Sequence, residues 1–323
     1  MTDVVLGDVS CPSGQLVLMD GGYLGLWSGE RSPDANPDAA AAIDFEITGL
    51  DAARAARSFD RQSGRRLYDI PHDAAEKFAA GFDEHCREQG LTASLRPFPQ
   101  RIPHRERVRH AIAGGDEDFI ITGVPVVSIG DVPPAARVTA TPGQWGWARF
   151  RISFGPEPVA STRQLGAIGV DWARFVFADA DALSSWQHEY PVDGLADIVF
   201  WGGAEAEQLA VELDAPRPDL PGEPGNFGWV DLPHREALER AIALQDRKQA
   251  GELRFALDFR PHSHHWQVMA GVRAAEHEAA TISVGGADVM MAMTSVGDGH
   301  FPVLLHLDAA GRPVAAEIVI SGD

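Results

Sequence analysis

The sequence contains little cysteine and comparatively few basic residues. Two cysteines, Cys11 and Cys86, in a chain of 323 residues are too few for a disulfide scaffold or a thiolate zinc site. Lys and Arg total 27 against 47 Asp and Glu, which gives a formal net charge of −20. Such a charge repels phosphate backbones and anionic membrane surfaces. We therefore expect no nucleic-acid partner and no membrane association.

Long apolar segments and a recognisable targeting signal are absent as well. No apolar run approaches the ~20 residues of a membrane span, and the first residues lack the basic region of a signal peptide. Hydrophobic residues make up 45% and charged residues 23% of the chain, as in ordinary globular proteins. These features predict a cytoplasmic protein with two average domains or one large one.

Several common catalytic motifs are also missing. The chain has no phosphate-binding Gly-x-x-x-x-Gly-Lys-Ser/Thr loop, no dinucleotide fingerprint, no Gly-x-Ser-x-Gly elbow and no His-Glu-x-x-His pair. Cys11 has no histidine nearby in the sequence to activate it, so we expect it to be buried and inert. The sequence therefore identifies no particular cofactor and leaves open both whether one is bound and whether the protein is an enzyme.

The chain contains an apparent internal repeat. Leu16–Asp20, with Leu24 and Trp27 after it, recurs as residues 175–179, with Leu183 and Trp186 after them. Further matches occur in the same order: residues 45–49 with 198–202, 68–72 with 230–234, Arg96-Pro97 with Arg260-Pro261, 128–131 with 295–298, and Pro134, Gly143 and Ser153 with Pro302, Gly311 and Ser321. Ordered matches of this kind predict a duplicated fold. We expect one repeat at 1–153, a linker at 154–164 and a second repeat at 165–323.

Each repeat has the pattern of an α+β domain. Asp69 and Asp231, each two residues before a proline, predict helix N-caps, and the helices should end near Gly90 and Gly251. Short alternating segments separated by turns predict an antiparallel meander, with the helices on one face of the sheet. The expected fold is two such domains related by a pseudo-twofold axis. Two further expectations are a long exposed loop at 214–226 and a solvated helix face carrying Arg101, Arg105, Arg107 and Arg109.

The C-terminal part resembles an uncharacterised bacterial family of unknown function. Gly297-Asp298-Gly299-His300-Phe301-Pro302-Val303, followed by Asp308 and Gly311-Arg312, is similar to that family's closing signature. Val170-Asp171 with Phe177 and Asp179, and Pro12-Ser13-Gly14, are similar to two further motifs of the family. Val296 stands where the family usually has Trp, and Trp172-Ala173 replace its Ala-Gly. The resemblance implies no activity.

The best candidate for chemistry is the segment Arg260-Pro261-His262-Ser263-His264-His265-Trp266. If it starts a strand, His262 and His264 share one face, and two imidazoles on one face can begin a metal site. The alternative is that the histidines bond backbone carbonyls in a polar cleft and pack on Trp266. The first repeat has Phe98 and Gln100 at the corresponding places.

A motif present in both repeats is expected to serve the fold, since aspartate often caps turns. This applies to the turn aspartates Asp131 and Asp298 and to the strand-end aspartates Asp20 and Asp179. Asp298 and Asp171, from the family-like motifs, and His300 remain candidate ligand-binding residues beside the histidine segment.

The leading hypothesis is a non-catalytic protein that binds a small molecule or another protein, in a cleft of the second repeat or between the repeats. Its candidate ligand-binding residues are His262, His264, His265, Trp266, His300, Asp298 and Asp171. The alternative is a metal-dependent hydrolase or lyase that uses His262 and His264 as ligands.

Overall fold

A computed structural model describes residues 2–37, 39–59, 64–114, 118–220, 223, 225–251 and 254–320. The chain divides into two compact units, which are Met1–Trp186 with Ser283–Asp323 (unit 1) and Gln187–Ile282 (unit 2). Helices and antiparallel sheets occur in both units, so the α+β prediction is confirmed. Unit 2 is inserted in sequence within unit 1, and the division into repeats at 1–153 and 165–323 stays a prediction. Residues 161–164 of the expected linker already belong to a strand.

The described residues contain the following strands and helices. The strands are β1 Val4–Ser10, β2 Leu16–Asp20, β3 Ala42–Thr48, β4 Arg66–Pro71, β5 Ser94–Pro97, β6 Asp118–Ile121, β7 Val124–Ile129, β8 Ala135–Gly143, β9 Gly146–Ser153, β10 Ser161–Val170, β11 Arg174–Asp179, β12 Leu195–Trp201, β13 Phe227–Pro233, β14 Ala256–Pro261, β15 Ala279–Val284, β16 Ala287–Met293, β17 Gly299–Leu307 and β18 Pro313–Val319. The α-helices are α1 Ala52–Phe59, α2 Ala75–Gln89, α3 His104–Gly114, α4 Gly203–Leu213, α5 His234–Gln249 and α6 His264–Ala274. Three short 3₁₀ segments lie at Gly21–Leu26, Pro33–Ala35 and Ala182–Ser185.

Unit 1 is built on two six-stranded sheets. Their strand orders are β1-β8-β9-β18-β17-β10 and β15-β16-β11-β2-β7-β6. At the centre of the first, Phe150 of β9 pairs with Ile318 of β18, and at the centre of the second, Leu18 of β2 pairs with Phe177 of β11. The prediction of one meander per repeat is therefore wrong. In each large sheet, three strands of one predicted repeat lie beside three strands of the other. Pairing between the two sets covers an edge that each set alone would leave unpaired.

The core of unit 1 lies between the two large sheets. The ring of Phe150 is 5.3 Å from that of Phe175, and Phe175 is 5.2 Å from Phe301, both in edge-to-face geometry. Phe150 and Phe301 belong to one sheet and Phe175 to the other, so their rings join the sheets. Cys11 is buried as expected, and burial raises the pKa of its thiol.

Each unit also contains a three-stranded sheet covered by helices. In unit 1 the order is β4-β3-β5, and α1 and α2 bury Ala55, Phe82 and Cys86 against it. In unit 2 the order is β13-β12-β14, and α4 and α5 bury Leu209 and Leu244 against it. The described residues of the segment 214–226 form no helix or strand, in agreement with the predicted loop.

The predicted helix starts differ from those observed. Asp69 and Asp231 lie inside β4 and β13, each with a φ of 55°, and the helices begin at Ala75 and His234. A backbone in the left-handed region cannot serve as an extended N-cap, so these aspartates have another role. Gly90 ends α2 in the left-handed conformation, as predicted.

The expected solvated arginine face is also wrong. Arg101, Arg105 and Arg107 are buried, and Arg109 alone among the four remains well exposed in an ion pair with Glu30. The burial of Arg107 is complete. A buried arginine requires carboxylate partners, and the charge run in the sequence does not show where those partners lie.

The strand-end aspartates act as caps, as predicted. Asp20 Oδ2 accepts the backbone N–H groups of Asp171 and Trp172, and Asp179 Oδ2 accepts the N–H of Ser13. Each aspartate thus satisfies donors in the turn that precedes the other aspartate's strand. Among the described residues, no helix has the length and apolar character needed to cross a membrane.

Candidate functional site

The histidine segment lies at the junction of β14 and α6 in unit 2. The strand ends at Pro261, and the side chain of Ser263 accepts the N–H of Trp266 as the N-cap of α6. His264 is therefore the first residue of a helix, and His262 lies before the cap. The alternating geometry expected for a strand start does not occur.

The imidazole of His262 is held between two carboxylates. Its Nδ1 lies 2.9 Å from Oδ2 of Asp193, and its Nε2 lies 2.9 Å from Oδ1 of Asp197. Because an ionised carboxylate only accepts hydrogen bonds, both contacts form together when both ring nitrogens carry a proton. The geometry therefore favours the imidazolium form of His262.

The pKa of His262 agrees with this geometry. Partial burial acts to lower the pKa, but the hydrogen bonds to Asp197 and Asp193 outweigh burial and raise it above the usual value of 6.5. Burial acts to raise the pKa of Asp193, but the hydrogen bonds from the Leu195 N–H and from His262 lower it. Together these residues form a charged cluster whose imidazolium is about 20% exposed.

A third carboxylate lies beside the cluster. Asp231 Oδ1 is 3.9 Å from His262 Nε2, and the Asp231 N–H donates to Asp197 Oδ1 at 2.9 Å. One ligand atom each from Asp197, Asp231 and His262 lie within 4.8 Å of one another, an arrangement that could hold a metal ion. An ion there would have to replace the ring proton that now bonds Asp197.

A cavity of about 230 Å³ lies next to this cluster within unit 2. Its lining includes Asp197, Glu223, Arg260, His262, Trp266 and Arg273. Leu220 and Ala270 add apolar surface, and Gln267 adds an amide. The site thus combines an aromatic and aliphatic wall with charged groups of both signs, as ligand pockets commonly do.

The other predicted histidines do not join His262 in one ligand set. His264 Nδ1 accepts the N–H of Gln187 at 2.9 Å, and burial lowers the pKa of its imidazole. His265 stacks on His188 with ring centroids 4.3 Å apart. Within the predicted segment, Arg260, His262 and Trp266 line the cavity.

The remaining predicted residues belong to unit 1. Asp171 Oδ2 accepts the Tyr23 hydroxyl at 2.7 Å, and Asp298 Oδ1 accepts the Ala173 N–H at 3.0 Å. His300 is exposed on β17 opposite Gly169. The contact of Asp298 is that of a turn-fixing residue, which agrees with the structural role expected for the Gly-Asp turn.

An aspartate pair of the same kind occurs in unit 1. The Asp69 N–H donates to Asp44 Oδ1 at 2.8 Å, as Asp231 does to Asp197, and Asp69 and Asp231 share a φ of 55°. In unit 1 the counter-ion is Arg107, which makes paired hydrogen bonds of 2.8 and 2.9 Å to Asp69.

The remaining donors of Arg107 are also satisfied. Its guanidinium bonds Asp44 at 3.2 Å and the carbonyls of Ile102 and Ile120 at 3.0 and 2.6 Å. Arg107 holds the pKa of Asp69 down to about 2 although burial acts to raise it. The donors of Arg107 are all bonded within this cluster, whereas Asp197 of the unit 2 pair lines a cavity.

Most of the polar residues around the cavity were not named as ligand-binding candidates from the sequence: Asp193, Asp197, Glu223, Arg260, Gln267 and Arg273. One signal could have identified Asp197, because a charged residue interrupts the apolar run of β12 just as Asp44 interrupts β3. No comparable signal marks Glu223, which lies in the loop between α4 and β13.

Comparison with known proteins gives no match. No family model, no curated protein and no solved structure is similar to the chain. The resemblance to an uncharacterised bacterial family therefore stays a prediction.

Proposed function

We propose that the chain is a non-catalytic protein that binds a small molecule in the pocket of unit 2. The observation that carries the proposal is the cavity of about 230 Å³ lined by His262 and Trp266. These are two of the residues that the sequence singled out. Cavities with an apolar wall and a few convergent polar groups are the usual form of ligand sites.

We also propose that the chain arose by internal duplication, with a pseudo-twofold axis that relates the two halves of each large sheet of unit 1. The sequence matches align Leu18 with Phe177, and the common spacing from Gly143 to Ser153 and from Gly311 to Ser321 aligns Phe150 with Ile318. Each of these residues pairs with its own counterpart across an antiparallel strand pair. A twofold axis requires this self-pairing. The equal orders β4-β3-β5 and β13-β12-β14 support the same proposal.

A difference between the two repeats explains why a pocket lies beside the aspartate pair of the second repeat and not beside the described pair of the first. In this proposal the counterpart of His264 is His104 and not Gln100. Each of the two histidines begins a helix, and its Nδ1 accepts the backbone N–H of the residue after a tryptophan, Ser28 or Gln187. The residue three positions further on is Arg107 in the first repeat and Gln267 in the second. The guanidinium of Arg107 closes the aspartate pair of the first repeat, whereas Gln267 lines the cavity of the second.

The second candidate function is a metal-dependent hydrolase or lyase. The grouping of Asp197, Asp231 and His262 favours it. Against it stand the two hydrogen bonds that occupy both ring nitrogens of His262, since a metal ligand needs a lone pair there. Zinc or manganese bound stoichiometrically to purified protein, and lost on His262→Ala, would favour the enzyme.

The remaining proposals concern location and partners. We infer a cytoplasmic protein that binds neither nucleic acid nor membranes. The excess of acidic over basic residues supports this inference.

The binding proposal is tested by filling the cavity. Ala270 of α6 lines it, so Ala270→Phe should abolish saturable binding of small organic probes measured by ligand-observed NMR. Ala274→Phe, at an exposed position on the same helix, is the matched control and should leave binding unchanged. Equal binding by the wild type and Ala270→Phe would contradict the proposal.

A further inference from the structure

Two arginines share one face of the cavity with Trp266. The guanidinium carbon of Arg260, from β14, and that of Arg273, from α6, each lie 5.6 Å from the Trp266 ring centroid. Two like charges against one indole repel each other unless an anion lies between them. Burial, and next the charge of Arg260, lowers the pKa of Arg273.

The chain supplies an anion to this pair from its own loop. Glu223 Oε2 lies 2.8 Å from Arg260 Nη2, and Glu223 Oε1 lies 3.5 Å from Arg273 Nε. Arg260 Nη2 also lies 3.0 Å from Asp258 Oδ2. The carboxylate of Glu223 thus makes a short charge-assisted contact with Arg260, whereas its distance to Arg273 is longer than such a bond.

One donor beside the cavity has no acceptor. The Nε atom of Arg260 is buried and has no hydrogen-bond partner among the residues that the structure describes, and the side chain of Arg260 is only 10% exposed. A buried N–H without an acceptor costs free energy. Arg260 therefore has hydrogen-bonding capacity that the described residues do not satisfy.

We propose that the ligand is a small organic carboxylate whose carboxylate group replaces Glu223 between Arg260 and Arg273. This inference rests on the proposed binding function and names the class of ligand. The apolar body of the ligand lies against Trp266, Leu220 and Ala270, which line the same cavity. A cavity of about 230 Å³ is smaller than sites for drug-sized ligands, so the ligand is a compact acid.

The charges on the rest of the lining agree with an acid. Asp197 is already bonded to the imidazolium of His262, so it offers less to an ammonium group than an unpaired carboxylate would. The two arginines offer a planar fork of N–H donors that matches a carboxylate. Glu223 then acts as an internal competitor that holds the arginines until the acid binds.

The test compares probes of equal shape and different charge. Benzoate, benzamide and benzylamine, together with the cyclohexane analogues of all three, are titrated into the full chain and followed by calorimetry and ligand-observed NMR. Both carboxylates should bind with one site per chain and more tightly than their amides and amines.

Two variants at the arginine pair sharpen the test. Arg273→Gln should weaken carboxylate binding about tenfold, since a hydrogen bond to a charged group is lost. Glu223→Gln should strengthen carboxylate binding about fivefold, because a competing like charge is removed. Arg235→Gln is the control, because Arg235 is an exposed arginine of α5 paired with Glu239 and should change nothing.

The outcomes separate this inference from the proposed function. If the amides or amines bind as tightly as the carboxylates, and Ala270→Phe abolishes that binding, the pocket binds ligands but the acid class is wrong. A carboxylate affinity that is unchanged in Arg273→Gln, or weakened in Glu223→Gln, also overturns the ligand class. If no probe binds in a way that Ala270→Phe abolishes, both the ligand class and the proposed binding function fail.

Discussion

His262 Nε2 lies 2.9 Å from Asp197 Oδ1, at the edge of the unit 2 cavity, while its other ring nitrogen bonds Asp193. The pairing joins the last residue before the N-cap of α6 to the interior of β12. It fixes the imidazole beside the cavity and uses both ring nitrogens. This relationship decides how the site should respond to pH.

The stabilising effect of His262 should fade as the pH rises. Its pKa is raised in the folded state, so its contribution is complete below the unfolded value of 6.5 and is lost as the pH rises through the folded value. At acid pH the free energy of unfolding of the wild type should exceed that of His262→Gln by about 1–2 kcal/mol. This difference should become smaller at alkaline pH. Urea unfolding of both proteins from pH 5.5 to 9 measures this difference in unfolding free energy.

The carboxylates provide the control for this pH dependence. Asp193→Asn removes one of the two charged acceptors of His262. In this background, the difference in unfolding free energy between the His262 protein and His262→Gln should change less with pH. A difference in unfolding free energy between the wild type and His262→Gln that stays constant from pH 5.5 to 9 would contradict the imidazolium assignment.

Replacing the buried arginine of unit 1 should be severely destabilising. Arg107→Met removes the cation of buried Asp44 and leaves buried Asp69 with only the 3.4 Å contact to Arg101, and breaking a buried ion pair from one side costs about 3–5 kcal/mol. Arg109→Met removes an exposed ion pair with Glu30 and should cost under about 1 kcal/mol. Urea unfolding of the two variants compares them, and similar losses would mean that the buried cluster contributes little.

The Gly-Asp turn should stabilise unit 1. Asp298→Ala removes the acceptor of the Ala173 N–H, a loss of about 1 kcal/mol that lowers Tm by about 2–4 °C. Asp288→Ala, at an exposed position on β16, should leave Tm unchanged. Calorimetry measures the Tm of both proteins. An unchanged Tm of Asp298→Ala would contradict the structural role of this turn.

The local elements were largely predictable from the sequence. Apolar segments between turn residues predicted β16, β17 and β18 within a few residues. Burial alternates along β17, whereas β16 and β18 are buried along most of their length. The division of the strands between two large sheets was not predictable, since alternation shows which face is buried but not which partner strand it meets. The burial of Arg107 was missed because its two carboxylate partners lie far away in sequence.

The candidate site was predictable only in part. Clustered imidazoles and a tryptophan drew attention to His262 and Trp266, and both line the cavity. The strand geometry was wrong because Ser263 caps a helix, a signal readable in Ser263 followed by Val268 and Val272 at helical spacing. Glu223 and Arg273 could not be foreseen, because a loop and a helix bring them to Arg260 of β14 only in three dimensions.

The most direct test of the account is the indole N–H signal of Trp266 in a nitrogen–proton NMR titration with benzoate. The chain has eight tryptophans, and Trp266→Phe assigns the relevant signal. The account predicts a saturable shift of this signal in the wild type and in Ala274→Phe, with the other indole signals little changed. No saturable shift, or equal shifts of several indoles that persist in Ala270→Phe, would contradict a small-acid site in unit 2.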